Sequence, residues 1–137
     1  EYNVRFGDPE CQALMALWED DPVPWLLGAA RGMLPNGTPR FAEGSACCVV
    51  LASAGYPESP RKGVPIPVGE EPEGVVVFHA GTAIDAQGQL VTAGGRVLGI
   101  TGRGADLEEA RQRAYAALPS WAFEGEQHRT DIGGGAR

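Results

Sequence analysis

Hydrophobic and polar positions change period several times along this chain, and each change marks an element. Tyr2, Val4 and Phe6 alternate with Glu1, Asn3 and Arg5 at the start. Successive side chains of a strand point to opposite faces, so this predicts a half-buried strand with one apolar and one polar face. The period then lengthens. Cys11, Leu14, Leu17 and Trp18 make a helical stripe, opened by Asp8-Pro9-Glu10, which reads as N-cap, first-turn proline and first-turn acid. Asp21 and Pro22 start a second helix with the stripe Leu26, Leu27, Ala30, Met33 and Leu34, and Pro35-Asn36-Gly37 stops it.

The next stretch reads as strands. Ala46 to Ala52 is a short apolar run bounded by Gly44 and Gly55, which predicts a well-buried strand. Pro57, Pro60, Pro65, Pro67 and Pro72 make Tyr56 to Pro72 a long loop. Gly74 to Ala80 is the next strand. Thr82-Ala83-Ile84 and Gln89 to Thr92 form a hairpin about the turn Asp85-Ala86-Gln87-Gly88. Gly94-Gly95 then turns the chain into Arg96 to Thr101. Consecutive strands with short turns predict a mostly antiparallel sheet. A third helix has the capping box Asp106 with Glu109 and the stripe Leu107, Ala110, Ala114, Ala117 and Leu118. Glu109 and Arg113 pair across one turn, Pro119 ends the helix, and Trp121-Ala122-Phe123 predicts a last short strand.

These elements give an α+β fold, and 137 residues suffice for a real core. Composition narrows the partners. A net charge of −7 speaks against nucleic acid or an anionic membrane surface, which call for basic patches. No apolar run approaches the ~20 residues of a membrane span, and no signal peptide is recognisable. The three cysteines form neither a disulfide framework nor a zinc spacing, because Cys47 and Cys48 point to opposite faces of a strand and Cys11 is left over. Thiols in a reducing cytoplasm fit them best.

Several residues carry possible chemistry. The polar face of the opening strand lines up a carboxylate, an amide oxygen and a guanidinium within about 14 Å. Glu1 and Asn3 are hard oxygen donors suited to magnesium, and Arg5 could hold phosphates. Periodicity alone favours an ordinary solvated face. Arg96, after two glycines, and Arg129 are the basic residues best placed for phosphate contact, while Arg61 and Lys62 read as a solvated loop. His79 reads as a strand histidine with a satisfied hydrogen bond, and His128 as a surface residue. Gly99 to Gly104 has neither a dinucleotide-fingerprint nor a Walker spacing, and Asp106 would repel phosphate, so it reads as a structural turn. No Ser-His-Asp or Cys-His arrangement is apparent.

The run Arg5-Phe6-Gly7-Asp8-Pro9-Glu10-x-Gln12 resembles the signature of the phosphoribosylamine–glycine ligase family, ATP-grasp enzymes of purine biosynthesis. Cys11 stands where the family usually has threonine. Gly55-Tyr56-Pro57, Lys62-Gly63 and the end His128 to Gly133 are also similar to the family, although Pro60 replaces an aromatic residue. The resemblance implies the end of an ATP-grasp domain over residues 1–34, a small closing domain of antiparallel sheet and packed helix over 35–133, and a flexible tail, 134–137. It also implies a reaction: ATP activates glycine's carboxylate as an acyl phosphate, and the amine of 5-phosphoribosylamine attacks to give glycinamide ribonucleotide. Glu1 and Asn3 are then magnesium (or manganese) ligands and Arg5 a catalytic residue near the phosphates. Asp8 caps its helix first and binds substrate second, and Arg96 and Arg129, from the reading of the residues themselves, are expected to bind substrate through its phosphate.

Starting at Glu1, with no ATP-binding lysine, Gly-rich loop or adenine pocket ahead of it, the chain is expected to be part of a longer polypeptide, inactive alone and partnered by the rest of it. The alternative is a non-catalytic closing domain of a different ATP-grasp carboxylate-amine ligase. The signature speaks against that.

Overall fold

The computed structural model describes residues 5–134. Its elements in order are α1 (Glu10–Leu17), α2 (Pro22–Arg31), β1 (Ser45–Ala52), β2 (Val75–His79), β3 (Thr82–Ile84), β4 (Leu90–Thr92), β5 (Arg96–Gly104) and α3 (Leu107–Trp121). The expected α+β architecture is present, an antiparallel sheet with a packed helix.

The last strand in sequence is the central one. β5 pairs antiparallel with β1 on one side and β2 on the other, while β3 and β4 form a separate hairpin. The ladders are antiparallel as expected, and because β5 offers both of its edges, β1 and β2 pair with it rather than with each other. In the register, Ile100 stands between Val49 and Val77, and Leu98 opposes Leu51. Residues directly opposite share a face, so these side chains form one layer, and all are buried beneath α3. From α3 come Ala110, Ala114, Ala117, Leu118 and Trp121. The small residues matter because α3 lies very close to β5. A Cβ built on Gly102 would sit 2.6 Å from the backbone nitrogen of Ala114, and one on Gly104 2.6 Å from that of Ala110. The other face of the sheet meets α1: a Cβ on Gly99 would lie 3.2 Å from Cys48 Sγ and 3.6 Å from Gln12 Cγ.

The caps of α2 and α3 form as expected. Asp21 accepts from the Val23 N–H at 2.9 Å and Asp106 from the Glu109 N–H at 2.8 Å. Glu109 in turn accepts from the Ala105 N–H and pairs with Arg113 at 2.7 Å. Asp85 accepts from the backbone N–H of Gln87 and of Gln89, which fixes the hairpin turn.

Other expectations are corrected. Arg5 lies in a bend and Phe6 in irregular backbone, so neither continues a strand; Glu1 to Val4 lie outside the described residues, as does the tail beyond Gly134. Asp8 does not cap α1: the helix opens at Glu10 with Pro9 at the cap position and no side-chain cap bond. α2 stops at Arg31 because Gly32 takes the left-handed conformation, φ 69°, which leaves Met33 and Leu34 outside it. The stripe of α2 is also not buried within this chain, since Leu26, Leu27, Met33 and Leu34 are exposed. The Gly99–Gly104 stretch is strand rather than turn, with Gly102 and Gly104 giving α3 room and Gly99 facing α1. Pro119 sits inside α3, which runs on to Trp121 because that indole is buried and donates to Glu70 O at 3.1 Å. Leu107, at the edge of the interface, is exposed. Trp121 to Phe123 is no strand, since both aromatic rings turn into the core.

Candidate functional site

Two adjoining clefts open on the side of the sheet that faces α1. The first, 360 Å³, is lined by Asp8, Gln12, Tyr56, Gly95, Arg96 and Gly99 over apolar walls. The second, 310 Å³, is lined by Ala52, Gln127, His128 and Arg129 and shares Val50, Tyr56 and Arg96 with the first.

Local sequence explains how these walls are assembled. Ser53, buried at the end of β1, donates its hydroxyl to Gly94 O at 2.9 Å and its N–H to Gly95 O at 2.8 Å. This pins the Gly94-Gly95 turn and therefore the start of β5. Tyr56 covers the same turn: a Cβ on Gly95 would come within 2.9 Å of the ring atom Cε2, so only glycine admits the ring. The β1–β5 register also shifts between Leu51 and Ala52, leaving Ala52 opposite Arg96 at the rim.

Arg96 Nη2 then lies 2.8 Å from Asp8 Oδ2 in an ion pair, with both side chains about half exposed. Gln12, in the first turn of α1, donates from Nε2 to Asp8 Oδ1 at 3.3 Å. Its own Oε1 is buried and has no hydrogen-bond partner among the described residues. The N-terminal helix is thus joined by polar contacts to the first residue of the central strand.

The second cleft depends on the segment after α3. Ala52 and Gln127 exchange backbone bonds at 2.8 and 2.9 Å. Tyr115 donates its hydroxyl to Arg129 O at 2.7 Å, and the same oxygen accepts from the Ile132 N–H at 3.1 Å. Arg111 lies over the Tyr115 ring and donates to Ile132 O at 3.0 Å. Arg129 itself points outward and pairs with Asp131, its Nε donating to Oδ1 at 2.8 Å. That donated bond holds the Asp131 carboxyl below the usual carboxylate range and raises the Arg129 guanidinium above its ordinary value. The His128 ring lies 3.1 Å from the Glu126 carboxylate.

Four of the residues expected from sequence therefore share one surface. Asp8 and Arg96 are in contact, Arg96 and Arg129 line one cleft, and Arg5 lines a shallow hollow with Gly7, Asp8 and Glu10 while donating to Phe6 O at 3.2 Å. Glu1 and Asn3 lie outside the described residues. His79 is elsewhere, 3.3 Å from the Thr82 hydroxyl and edge-on to Trp121, as its strand reading expected. Arg61 is paired with Glu124 in the exposed loop. Sequence reasoning assigned no site role to Gln12 or Tyr56. Both stood within quoted motifs, and that was the available signal.

Chemically, the clefts offer guanidinium donors for an anion next to a carboxylate that would take a donor group such as an amine. Among the described residues no group of three or more His, Cys, Asp or Glu side chains could hold a metal ion. No helix among them is long and apolar enough to cross a membrane.

The family model described as "Phosphoribosylglycinamide synthetase, C domain" matches residues 46–135. A phosphoribosylamine–glycine ligase of Caulobacter vibrioides is 52% identical over 136 residues, covering 97% of this chain and 32% of the relative. The chloroplastic one of Arabidopsis thaliana is 51% identical, covering 97% of this chain and 26% of the relative. The crystal structure of phosphoribosylamine–glycine ligase from Thermotoga maritima superimposes with a TM-score of 0.77 at 43% identity, over 96% of this chain and 32% of that one. The chain thus spans between a quarter and a third of the length of these relatives. With a family match over more than half of its residues, this chain belongs to the phosphoribosylglycinamide synthetase C-domain family.

Proposed function

We propose that this chain is the part of an ATP-dependent carboxylate–amine ligase that closes over the phosphorylated amine substrate. The reaction of the full-length protein is the ligation of glycine to 5-phosphoribosylamine, giving glycinamide ribonucleotide in purine biosynthesis. One observation carries the reading: Asp8, Arg96 and Arg129, far apart in sequence, line two clefts that share Arg96. Arg96 and Arg129 hold the phosphate as guanidinium donors, and Asp8 lies beside them for a donor group of the sugar or amine. Arg5, on the same surface, faces the transferring phosphoryl group. ATP and glycine bind on the remainder of the full-length protein, which is this chain's partner.

Magnesium, or manganese, fits the donors at the N-terminal end, because a carboxylate and an amide oxygen are hard ligands. Glu1 and Asn3 would hold it, and when bound it neutralises charge on the ATP phosphates. A cytoplasmic setting suits the three free thiols.

The test uses the full-length protein with ATP, glycine and freshly generated 5-phosphoribosylamine. ADP formation should require all three substrates, and Arg96→Ala and Arg129→Ala should raise the KM for the phosphorylated amine while leaving that for ATP. Glycine-independent turnover, or unchanged KM values in both variants, would sink the reading.

A further inference from the structure

We propose that Gln12 is a positioning residue for substrate binding, acting through Asp8 on Arg96. The inference rests on the reading of the cleft as the site of a phosphorylated amine, and it assigns to α1 a task in that site.

Two contacts form a relay that ends at the clefts. Gln12 Nε2 donates to Asp8 Oδ1 at 3.3 Å, the second carboxylate oxygen of Asp8 faces Arg96 Nη2 at 2.8 Å, and Arg96 lines both clefts. Asp8 caps no helix, so its carboxylate is divided between these two neighbours. The amide of Gln12 adds an independent observation. A glutamine on an ordinary helix surface turns both halves of its amide to water, yet Gln12 buries Oε1 without a partner among the described residues. Turning the amide over would set an oxygen against the Asp8 carboxylate, which cannot donate. The observed orientation is therefore the one that serves Asp8. The Gln12 stem packs against β5, its Cγ 3.6 Å from where a Cβ on Gly99 would stand, an ordinary contact distance.

Arginine has a long stem and much rotamer freedom, which binding a phosphate must suppress. An Asp8 carboxylate held from behind by Gln12 restricts Arg96 before substrate arrives. Loss of the Gln12 amide should thus weaken affinity for the anionic substrate and leave the chemical step alone.

The experiment compares wild type, Gln12→Leu and Gln12→Asn in the full-length protein, each also in an Arg96→Ala background, with thermal melts to confirm folding. Asparagine keeps an amide but is too short to reach Asp8. Both variants should raise the KM for 5-phosphoribosylamine on the order of 10-fold, as expected for losing a hydrogen bond to a charged group. Values of kcat and KM for glycine should stay within about twofold, and neither variant should add to the loss already caused by Arg96→Ala. A second readout needs no turnover: inorganic phosphate titrated against the Arg96 Nε–H resonance should show a dissociation constant raised by a similar factor in Gln12→Leu. Unchanged KM and phosphate affinity, or an equal loss in the Arg96→Ala background, overturns the proposal. If the wild type shows no glycine-dependent turnover, the ligase reading fails, and the phosphate titration still decides the role of Gln12.

Discussion

Asp8 Oδ2 and Arg96 Nη2 stand 2.8 Å apart where the N-terminal segment meets the central strand. Both side chains are about half exposed, so the pair contributes little to stability, at most about 1 kcal/mol. Its value is geometric. Asp8→Asn should leave the melting temperature of the full-length protein nearly unchanged and raise the KM for the phosphorylated amine several-fold. Arg96→Lys should remain damaging, since an ammonium does not reproduce the planar fork. Calorimetry beside steady-state kinetics checks both, and a large loss of stability in Asp8→Asn would make the pair a structural clamp instead.

The approach of α3 to β5 predicts a second result. Gly102→Ala places a methyl group 2.6 Å from the Ala114 backbone nitrogen, with rigid main chain on both sides. Overpacking of that kind costs about 1–3 kcal/mol, read as a lower urea midpoint at unchanged slope. Wild-type stability would mean that α3 slides along the strand without penalty.

Burial pushes the Cys48 thiol up, and also that of Cys47. A group whose folded pKa is raised contributes stability that is full below the unfolded value, 9.0, and is lost as pH rises through the folded one. Stability of the wild type should therefore fall above about pH 9, and less steeply in Cys48→Ala. Denaturant melts between pH 7 and pH 10.5 decide this, and parallel slopes in the two proteins would refute it. Alkylation at pH 8 should reach half-buried Cys11 before either buried thiol.

The 137-residue chain alone should fold about β5 and bind magnesium-ATP no better than about 1 mM, roughly −4 kcal/mol. Its core is supplied by its own strands and α3, whereas two metal ligands without phosphates or a preformed cage hold magnesium poorly. Titration calorimetry with circular dichroism tests this. Micromolar affinity in a folded chain would locate the nucleotide site within these residues.

Much of the fold could be read from the hydrophobic pattern, because Ala46 to Ala52 is the continuous apolar run of a well-buried strand and Ala110, Ala114 and Ala117 follow the helical period. Local capping chemistry at Asp21, Asp85 and Asp106 was equally legible. What failed depended on tertiary contacts. Nothing in the spacing of Gly99, Gly102 and Gly104 says that a helix will lie against them, so a strand read as a turn. Pro119 looked like a stop because the buried Trp121 that holds the last turn acts from across the core. In the site, Arg96 and Arg129 were identifiable as isolated basic residues, but their shared cleft arises from the Ala52–Gln127 bridge, which no local pattern announces. Asp8 was legible as important and assigned first to capping, because the choice between helix N–H groups and a distant guanidinium is made in three dimensions.

The order β1-β5-β2 has a consequence for synthesis. β1 and β2 do not pair with each other, and each waits for the same partner. A nascent chain emerging from the ribosome carries two apolar strands with open edges until Arg96–Gly104 has been made, and such edges invite wrong association. Truncation before Arg96 leaves no three-stranded sheet to nucleate, whereas adding β5 and α3 supplies both partners at once. Assembly of this domain is thus a late, concerted event in translation, and premature termination before Arg96 yields a chain for proteolysis rather than a smaller folded one.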